Sequence, residues 1–148
     1  MLQGLNHVAV LTEDLDRFVA FYREVFDVEV VFSEETPAFR HAILRTGGSS
    51  WIHPAQVVDS PHGAASPAMF DRGHLDHLAL TAEDPDAFEA ARARLVERGA
   101  TDGVVEDLGA FHSVWFTDPD GMRVELVTIV DDSLASIHAP QPLEPSES

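Results

Sequence analysis

Two stretches decide the fold: Leu5–Ala20 reads LNHVAVLTEDLDRFVA, and Leu75–Ala90 reads LDHLALTAEDPDAFEA. They are offset by 70 residues and are identical at eight of sixteen positions, including His7/His77 and Phe18/Phe88. Self-similarity at a fixed spacing is typical of a duplicated structural unit. The sequence therefore predicts two copies of one small module.

Each copy predicts a strand, a helix and three further strands. Residues 7–11 alternate as in a half-buried strand, and residues 77–81 repeat that alternation. Apolar residues then recur at helical spacing in the first copy, at Leu15, Phe18, Val19, Tyr22, Val25 and Phe26. The second helix has an N-cap in Asp84, a proline at its first position in Pro85 and a stop in Gly99. The further strands are predicted at 28–32, 40–45, 51–58, 101–107, 113–117 and 123–130.

The predicted fold class is α+β, with two tandem βαβββ modules. The modules span residues 1–58 and 74–130 and are expected to form a single domain, residues 1–130. Residues 59–73 are rich in Pro, Gly, Ser and Ala, which predicts a linker. Asp-Pro-Asp-Gly at 118–121 predicts the last tight turn, and residues 131–148 an extended or disordered tail.

The composition excludes several classes of function. The 148 residues include 26 Asp and Glu against 9 Lys and Arg, for a net charge of -17. This balance argues against binding to nucleic acid or to anionic membranes. The absence of cysteine excludes disulfides, thiolate nucleophiles and cysteine-ligated zinc. No signal peptide or apolar membrane span is evident, so a cytoplasmic protein is expected.

Three side chains break the strand pattern in a way that indicates a metal site. His7 and His77 hold equivalent places in the two copies, and Glu125 shares a strand face with the apolar Val127 and Ile129. A carboxylate on an apolar face is costly unless something compensates its charge. Two imidazoles and one carboxylate with open positions suit iron(II), and can also hold zinc, nickel or manganese. His7, His77 and Glu125 are therefore candidate ligands of a divalent metal ion.

A structural interpretation of the same residues stays open. Duplication alone would give both copies the same histidine, and a strand histidine is commonly a hydrogen-bonded structural residue. His41 lies in a predicted strand on a face that the sequence does not settle. His62 and His138 fall in the linker and the tail, and His74 precedes the second module; none of them is given a role.

The paired Leu-Asn/Asp-His-Val/Leu-Ala openings, the 118–121 turn and the Val-Glu-Leu at 124–126 resemble the vicinal oxygen chelate superfamily. Its members include glyoxalase I, extradiol dioxygenases, fosfomycin- and bleomycin-resistance proteins and methylmalonyl-CoA epimerase. The resemblance covers roughly residues 4–130. It implies a glyoxalase-like domain whose two βαβββ modules form curled mixed sheets around one cleft.

The resemblance implies specific roles. The metal ligands would be His7, His77 and Glu125, with His53 at a fourth ligand position. The acid–base group would be either Glu125, displaced from the metal, or His112 near the cleft. The substrate would be a small molecule, and a homodimer is expected.

The sequence departs from individual members of the superfamily. Glyoxalase I-like members carry a glutamate where this chain has His53, and Pro54 is expected to disturb that central strand. Extradiol dioxygenases carry a tyrosine near the position of Trp115. Fosfomycin enzymes use basic phosphate-binding residues, of which no clear run is seen, and lysine is absent.

Two functions from different classes follow. The first is a metal-dependent lyase, isomerase or dioxygenase that chelates two adjacent oxygens of a small substrate and so stabilises an oxyanion. The second is a metal-free protein that binds a small molecule or antibiotic, as bleomycin-resistance proteins do, and the negative charge would suit a cationic drug. Retention of the ligand set favours the enzyme.

Overall fold

The structure is a computed structural model that describes residues 6–48, 50–59, 75, 77–131 and 136–143. Within these residues the elements are, in chain order, β1 (His7–Leu11), α1 (Leu15–Phe26), β2 (Glu29–Glu35), β3 (Phe39–Gly47), β4 (Ser50–Val57), β5 (Leu78–Thr81), α2 (Pro85–Glu97), β6 (Val105–Asp107), β7 (Phe111–Thr117), β8 (Arg123–Ile129) and β9 (Gln141–Pro142). None of these helices is long and apolar enough to cross a membrane.

The chain divides into two compact units, Met1–Ala68 with Pro119–Gly121, and Met69–Asp118 with Met122–Ser148. Unit 1 has a sheet of order β1-β4-β3-β2, and unit 2 has a sheet of order β5-β8-β7-β6-β9. In each unit the first strand pairs in parallel with the last strand of the βαβββ pattern, and the other neighbours are antiparallel. The predicted α+β class with two mixed sheets is confirmed.

Each helix begins after a capping aspartate, which in α2 is the predicted Asp84. The side chain of Asp14 accepts a hydrogen bond from the Arg17 amide at 3.0 Å, and that of Asp84 accepts one from the Ala87 amide at 2.7 Å. Each bond satisfies an amide that has no partner inside the first turn of a helix. After α2, Gly99 adopts a left-handed φ of +67°, which confirms the predicted stop.

Each helix packs against its own sheet and buries one face of it. The buried apolar side chains include Leu15, Phe18, Tyr22, Val25, Ala42, Leu44 and Ile52 in unit 1, and Phe88, Ala91, Leu95, Val114, Phe116, Val124 and Leu126 in unit 2. The strand residues of this set all have even numbers. Because side chains alternate along a strand, the odd-numbered residues of β3, β4, β7 and β8 lie on the face away from the helix.

The expectation that Pro54 disturbs its strand is wrong. β4 runs through Pro54, which is fully buried. Pairing with β3 keeps one register on both sides of the proline, at His41↔Ala55 and at Leu44↔Ile52. Proline removes one amide donor from a ladder, but its fixed φ is compatible with an extended strand.

The predicted strand 101–107 is shorter in the structure and begins at Val105. The residues before it form a side-chain-stabilised turn instead. The hydroxyl of Thr101 accepts from the Gly103 amide at 3.1 Å, and the Asp102 carboxylate accepts from the Val104 amide at 2.9 Å. Gly103 also has a φ of +79°, which a continuous strand does not allow.

The predicted turn at 118–121 is present. The Asp118 carboxylate accepts from the Met122 amide at 2.9 Å, and Gly121 has a φ of +85°. The predicted linker beyond Asp59, together with His62 and His74, lies outside the described residues. In the part of the tail that is described, β9 pairs antiparallel with β6.

Gly109 is expected to tolerate no side chain. Its φ is +84°, and an added Cβ would collide with the Ser136 carbonyl and lie 2.9 Å from the His138 ring. The His138 amide donates to the Leu108 carbonyl at 3.0 Å, so this collision would push residues 136–138 off the sheet. We expect Gly109→Ala to accelerate hydrogen exchange at the His138 amide and to destabilise the protein by about 1–3 kcal/mol.

Gly121→Ala is the matched control, because Gly121 has nearly the same φ but nothing within 4 Å of an added Cβ. The Gly121→Ala variant places an alanine at the same unfavourable positive φ but causes no collision. Exchange at the His138 amide that is equally fast in both variants would contradict the prediction.

Candidate functional site

A row of polar side chains crosses the sheet of unit 1, one from each strand. It consists of His7 on β1, His53 on β4, His41 on β3 and Glu34 on β2. Ala9 pairs with His53 and Glu34 pairs with His41, which places all four on the face opposite α1. We call this set the histidine row.

At one end of the histidine row, Asn6 orients His7. The Oδ1 atom of Asn6 lies 2.8 Å from the Nδ1 atom of His7. An amide oxygen only accepts hydrogen bonds, so Nδ1 of His7 is the donor in this contact. This is the arrangement that a metal-ligating histidine needs.

At the other end, His41 links His53 to Glu34. The Nε2 atom of His41 is 3.0 Å from the Glu34 carboxylate, and its Nδ1 atom is 2.8 Å from Nε2 of His53. The contact between the two imidazoles is a hydrogen bond in which one ring donates and the other accepts. Nδ1 of His53 lies outside this contact.

The surroundings of His53 disfavour its protonation. Burial, and then the neighbouring charges of His41 and His7, lower the pKa of His53 below its usual value. A neutral imidazole is the form that binds metals. Sequence reasoning left the face of His41 open, and its contact with His53 became visible only through the register between β3 and β4.

In unit 2, the structure brings together two of the predicted ligands, His77 and Glu125. Their Nε2 and Oε2 atoms are 3.6 Å apart, and Glu125 is 6% exposed. The other carboxylate oxygen accepts a hydrogen bond from the fully buried Ser113 hydroxyl at 2.6 Å. Ser113, which the sequence did not single out, fixes the orientation of the carboxylate.

Trp115 and Arg123 continue this face of the sheet. The Trp115 ring meets the His77 ring edge-on, with centroids 4.9 Å apart, and its indole N–H donates to the Glu106 carboxylate at 3.0 Å. The Arg123 guanidinium lies 3.9 Å above the same indole ring. Arg123 was also missed from the sequence, because cross-strand register decides which ring it covers.

His112 is not brought together with His77 and Glu125. Trp115 pairs with Glu125 and shares its face, and His112 is three residues from Trp115, so it lies on the opposite face. That face also holds the buried Val114 and Phe116. The acid–base role predicted for His112 therefore gains no support.

The His77–Glu125 pair fits a divalent metal ion as two of its ligands. Donors bound to one tetrahedral ion at about 2.1 Å lie about 3.4 Å apart, close to the observed separation. Neutral imidazole and carboxylate are also suitable donor types. Over the described ranges, no group of three or more histidine and acidic side chains is placed to hold an ion, so the full set with His7 and His53 remains a prediction.

A separate open groove lies on the α1 face of unit 1 and contains none of the predicted site residues. Its lining includes Asp16, Val19, Arg23 and Arg40. Arg40 is already paired with Asp16 at 2.8 Å, and this hydrogen bond lowers the pKa of Asp16. The groove receives no functional role.

Comparison with known proteins supports the resemblance seen in the sequence. The chain is 27% identical over 130 residues to the metallothiol transferase FosB of Staphylococcus saprophyticus, which covers 86% of this chain and 78% of that protein. It is 29% identical over 126 residues to the glutathione transferase FosA of Serratia marcescens, with coverages of 85% and 81%.

The fold also matches a solved structure. A glyoxylase/bleomycin resistance protein/dioxygenase domain from Frankia sp. EAN1pec superposes with a TM-score of 0.71 at 24% identity, covering 87% of this chain and 99% of that one. The family model described as Glyoxalase/Bleomycin resistance protein/Dioxygenase superfamily matches residues 4–126. The duplicated βαβββ pattern and this match together show that the chain belongs to the Glyoxalase/Bleomycin resistance protein/Dioxygenase superfamily.

Proposed function

We propose that the protein is a metal-dependent enzyme that binds a small substrate through two adjacent oxygen atoms. The observation that carries the proposal is the buried Glu125 carboxylate, which Ser113 orients beside His77. A buried carboxylate is costly, and one hydroxyl donor offsets only part of that cost. A divalent cation would compensate the rest.

The proposed ligands are His7, His77 and Glu125, with His53 as a fourth ligand. When bound, the metal ion would polarise the substrate oxygens and stabilise a developing oxyanion. Ser113 holds the carboxylate in place, and Asn6 accepts a hydrogen bond from Nδ1 of His7. Iron, nickel, zinc and manganese all suit these donors.

The relatives add a reaction class. The names metallothiol transferase and glutathione transferase add transfer of a thiol to the predicted lyase, isomerase and dioxygenase types. This chain has no cysteine, so a reacting thiol would have to come from a second substrate. The superfamily resemblance also favours a homodimer.

Elemental analysis of protein purified without chelators tests the proposal. We expect about one equivalent of metal per chain and its loss in His77→Ala, because that change removes a ligand. His112→Ala is the matched control and should keep the metal, since His112 lies on the other face of the sheet. The element found would narrow the reaction: iron favours oxygen chemistry, and nickel or zinc favours isomerase or lyase chemistry.

Two results would contradict the proposal. Metal content that is unchanged in His77→Ala would remove His77 from the ligand set. No metal in any of these proteins, even after reconstitution, would favour the metal-free binding protein instead.

A further inference from the structure

Arg123 differs from four arginines of this acidic chain that pair with carboxylates. Those pairs are Arg17–Asp120, Arg40–Asp16, Arg45–Glu29 and Arg92–Glu89. In the part of the chain that the structure describes, no carboxylate lies within 4.0 Å of the Arg123 guanidinium. Its charge is therefore not neutralised by a direct ion pair.

Trp115 holds Arg123 in place. The guanidinium lies 3.9 Å above the indole ring, and the indole N–H is tied to Glu106 at 3.0 Å. The ring covers one face of the guanidinium, and the N–H groups at the edge of an arginine point sideways in a fork that matches two oxygen atoms. The indole ring therefore fixes the position of the guanidinium and leaves its N–H donors available to bind a ligand.

Arg123 lies on the same face of the sheet as the proposed metal ligand Glu125. Arg123 and Glu125 lie on the same strand and the same face, two residues apart, which separates their Cα atoms by about 6.8 Å. Trp115 lies between Arg123 and His77, contacting both. A small molecule bound beside Glu125 and His77 could reach Arg123 with a group at its other end.

Unit 1 contains an internal comparison. Arg45 lies over the Trp51 ring at 5.0 Å, so the same kind of stacked pair occurs there. Arg45, however, also pairs with the Glu29 carboxylate at 3.1 Å. A stacked arginine in this chain is thus neutralised in one unit and left without a carboxylate in the other.

We infer that Arg123 binds an oxyanion group of the substrate, a carboxylate or a phosphate-type group, while the metal site binds two adjacent oxygens of the same molecule. The part of this inference that concerns the metal site rests on the proposed function. Bidentate hydrogen bonding from a guanidinium is the interaction that recognises such planar or tetrahedral oxyanions. In a chain of net charge -17, which repels anions at long range, a local cation is needed to hold one.

The test uses metal-free protein, so that it does not depend on the metal. The chain has two tryptophans, and a Trp51→Phe background leaves Trp115 as the fluorescent reporter. Inorganic phosphate and acetate are titrated separately at constant ionic strength, with chloride as the reference anion. We expect a saturable change in Trp115 fluorescence with phosphate, acetate or both, and the tighter anion identifies the class of oxyanion.

Variants of the two stacked arginines decide the assignment. Arg123→Gln is expected to weaken anion binding by about tenfold or more, as for loss of a charge-assisted hydrogen bond. Arg45→Gln, the matched control, should bind as the background does. Arg123→Lys keeps the charge without the fork and should fall between the two.

Equal binding in Arg123→Gln and the background, or no saturable response beyond that of chloride, would overturn the inference. The metal measurement stays separate. Bound metal without a response to either anion would support the proposed function and contradict the inference. Anion binding through Arg123 without bound metal would contradict the proposed function and support the anion site.

Discussion

Glu125→Gln is expected to abolish the stabilisation of the protein by a divalent metal ion. A ligand that binds only the folded state adds about 2.7 kcal/mol when its free concentration is 100 times its dissociation constant. The amide of glutamine has the shape of the carboxylate but lacks its charge, so it is a poor metal ligand. Thermal unfolding with and without added metal, in the unaltered chain and in the variant, measures the difference.

Without metal, the same change is expected to leave the protein as stable as before or more stable. Glu125 is 6% exposed, and removing a buried charge lowers the cost of desolvation. The glutamine carbonyl can still accept the Ser113 hydroxyl hydrogen bond. A variant that is stabilised less by metal but more stable without it would show that Glu125 is retained for binding at a cost in stability.

Glu106→Gln is the matched control for this experiment. Glu106 is a carboxylate on the same sheet that accepts from the Trp115 indole N–H, and it is not a proposed ligand. Its variant should gain the full metal-dependent stabilisation. A metal-induced shift of equal size in Glu125→Gln would contradict the assignment of Glu125 as a ligand.

Leu95→Ala is expected to destabilise the protein by about 2–5 kcal/mol. Leu95 is on α2, is 0% exposed and belongs to the core between that helix and its sheet. Truncation to alanine removes its transfer free energy and leaves a cavity that close-packed neighbours fill only in part. Urea denaturation measures the loss as a lower midpoint with an unchanged slope.

The adjacent residue gives the control. Val96 is 45% exposed on the same helix, so Val96→Ala should change the free energy of unfolding by about 0.5 kcal/mol or less. Helix propensity favours alanine at both positions and cannot explain a difference between them. Equal destabilisation by the two substitutions would mean that α2 does not pack on its sheet as described.

The repeat made most of the fold predictable. Shared residues such as Phe18 and Phe88 occupy the buried face of a helix in both units, so a duplication in sequence became a duplication in packing. Helix caps were also predictable, because Asp84 and Pro85 act within their own turn. Local chemistry of this kind needs no knowledge of what lies across the sheet.

Errors had two sources, which are pairing with neighbouring strands and side chains that bind nearby backbone amides. Pro54 was expected to disturb β4, yet pairing with both neighbouring strands keeps it in register. Residues 101–104 were predicted to be part of a strand. Instead, the side chains of Thr101 and Asp102 accept hydrogen bonds from nearby amides and form a turn. Whether a backbone amide binds a nearby side chain or a neighbouring strand is difficult to predict from sequence.

The candidate site was predictable in its residue types and only partly in its arrangement. Alternation along one strand indicated that Glu125 lies on an apolar face, but not that Ser113 donates to it or that Trp115 pairs with it. His112 was expected to lie near the cleft. The register between β7 and β8 places it on the other side of the sheet.

The parallel pairing of first and last strands also has a consequence for how the chain is made. β1 leaves the ribosome early, but its partner β4 begins only at Ser50, and β5 likewise waits for β8 at Arg123. Each half must therefore keep its opening strand unpaired until the rest of that half has been synthesised. The parallel pair of each sheet is therefore a contact of large sequence separation, which can form only after its whole βαβββ unit has been made.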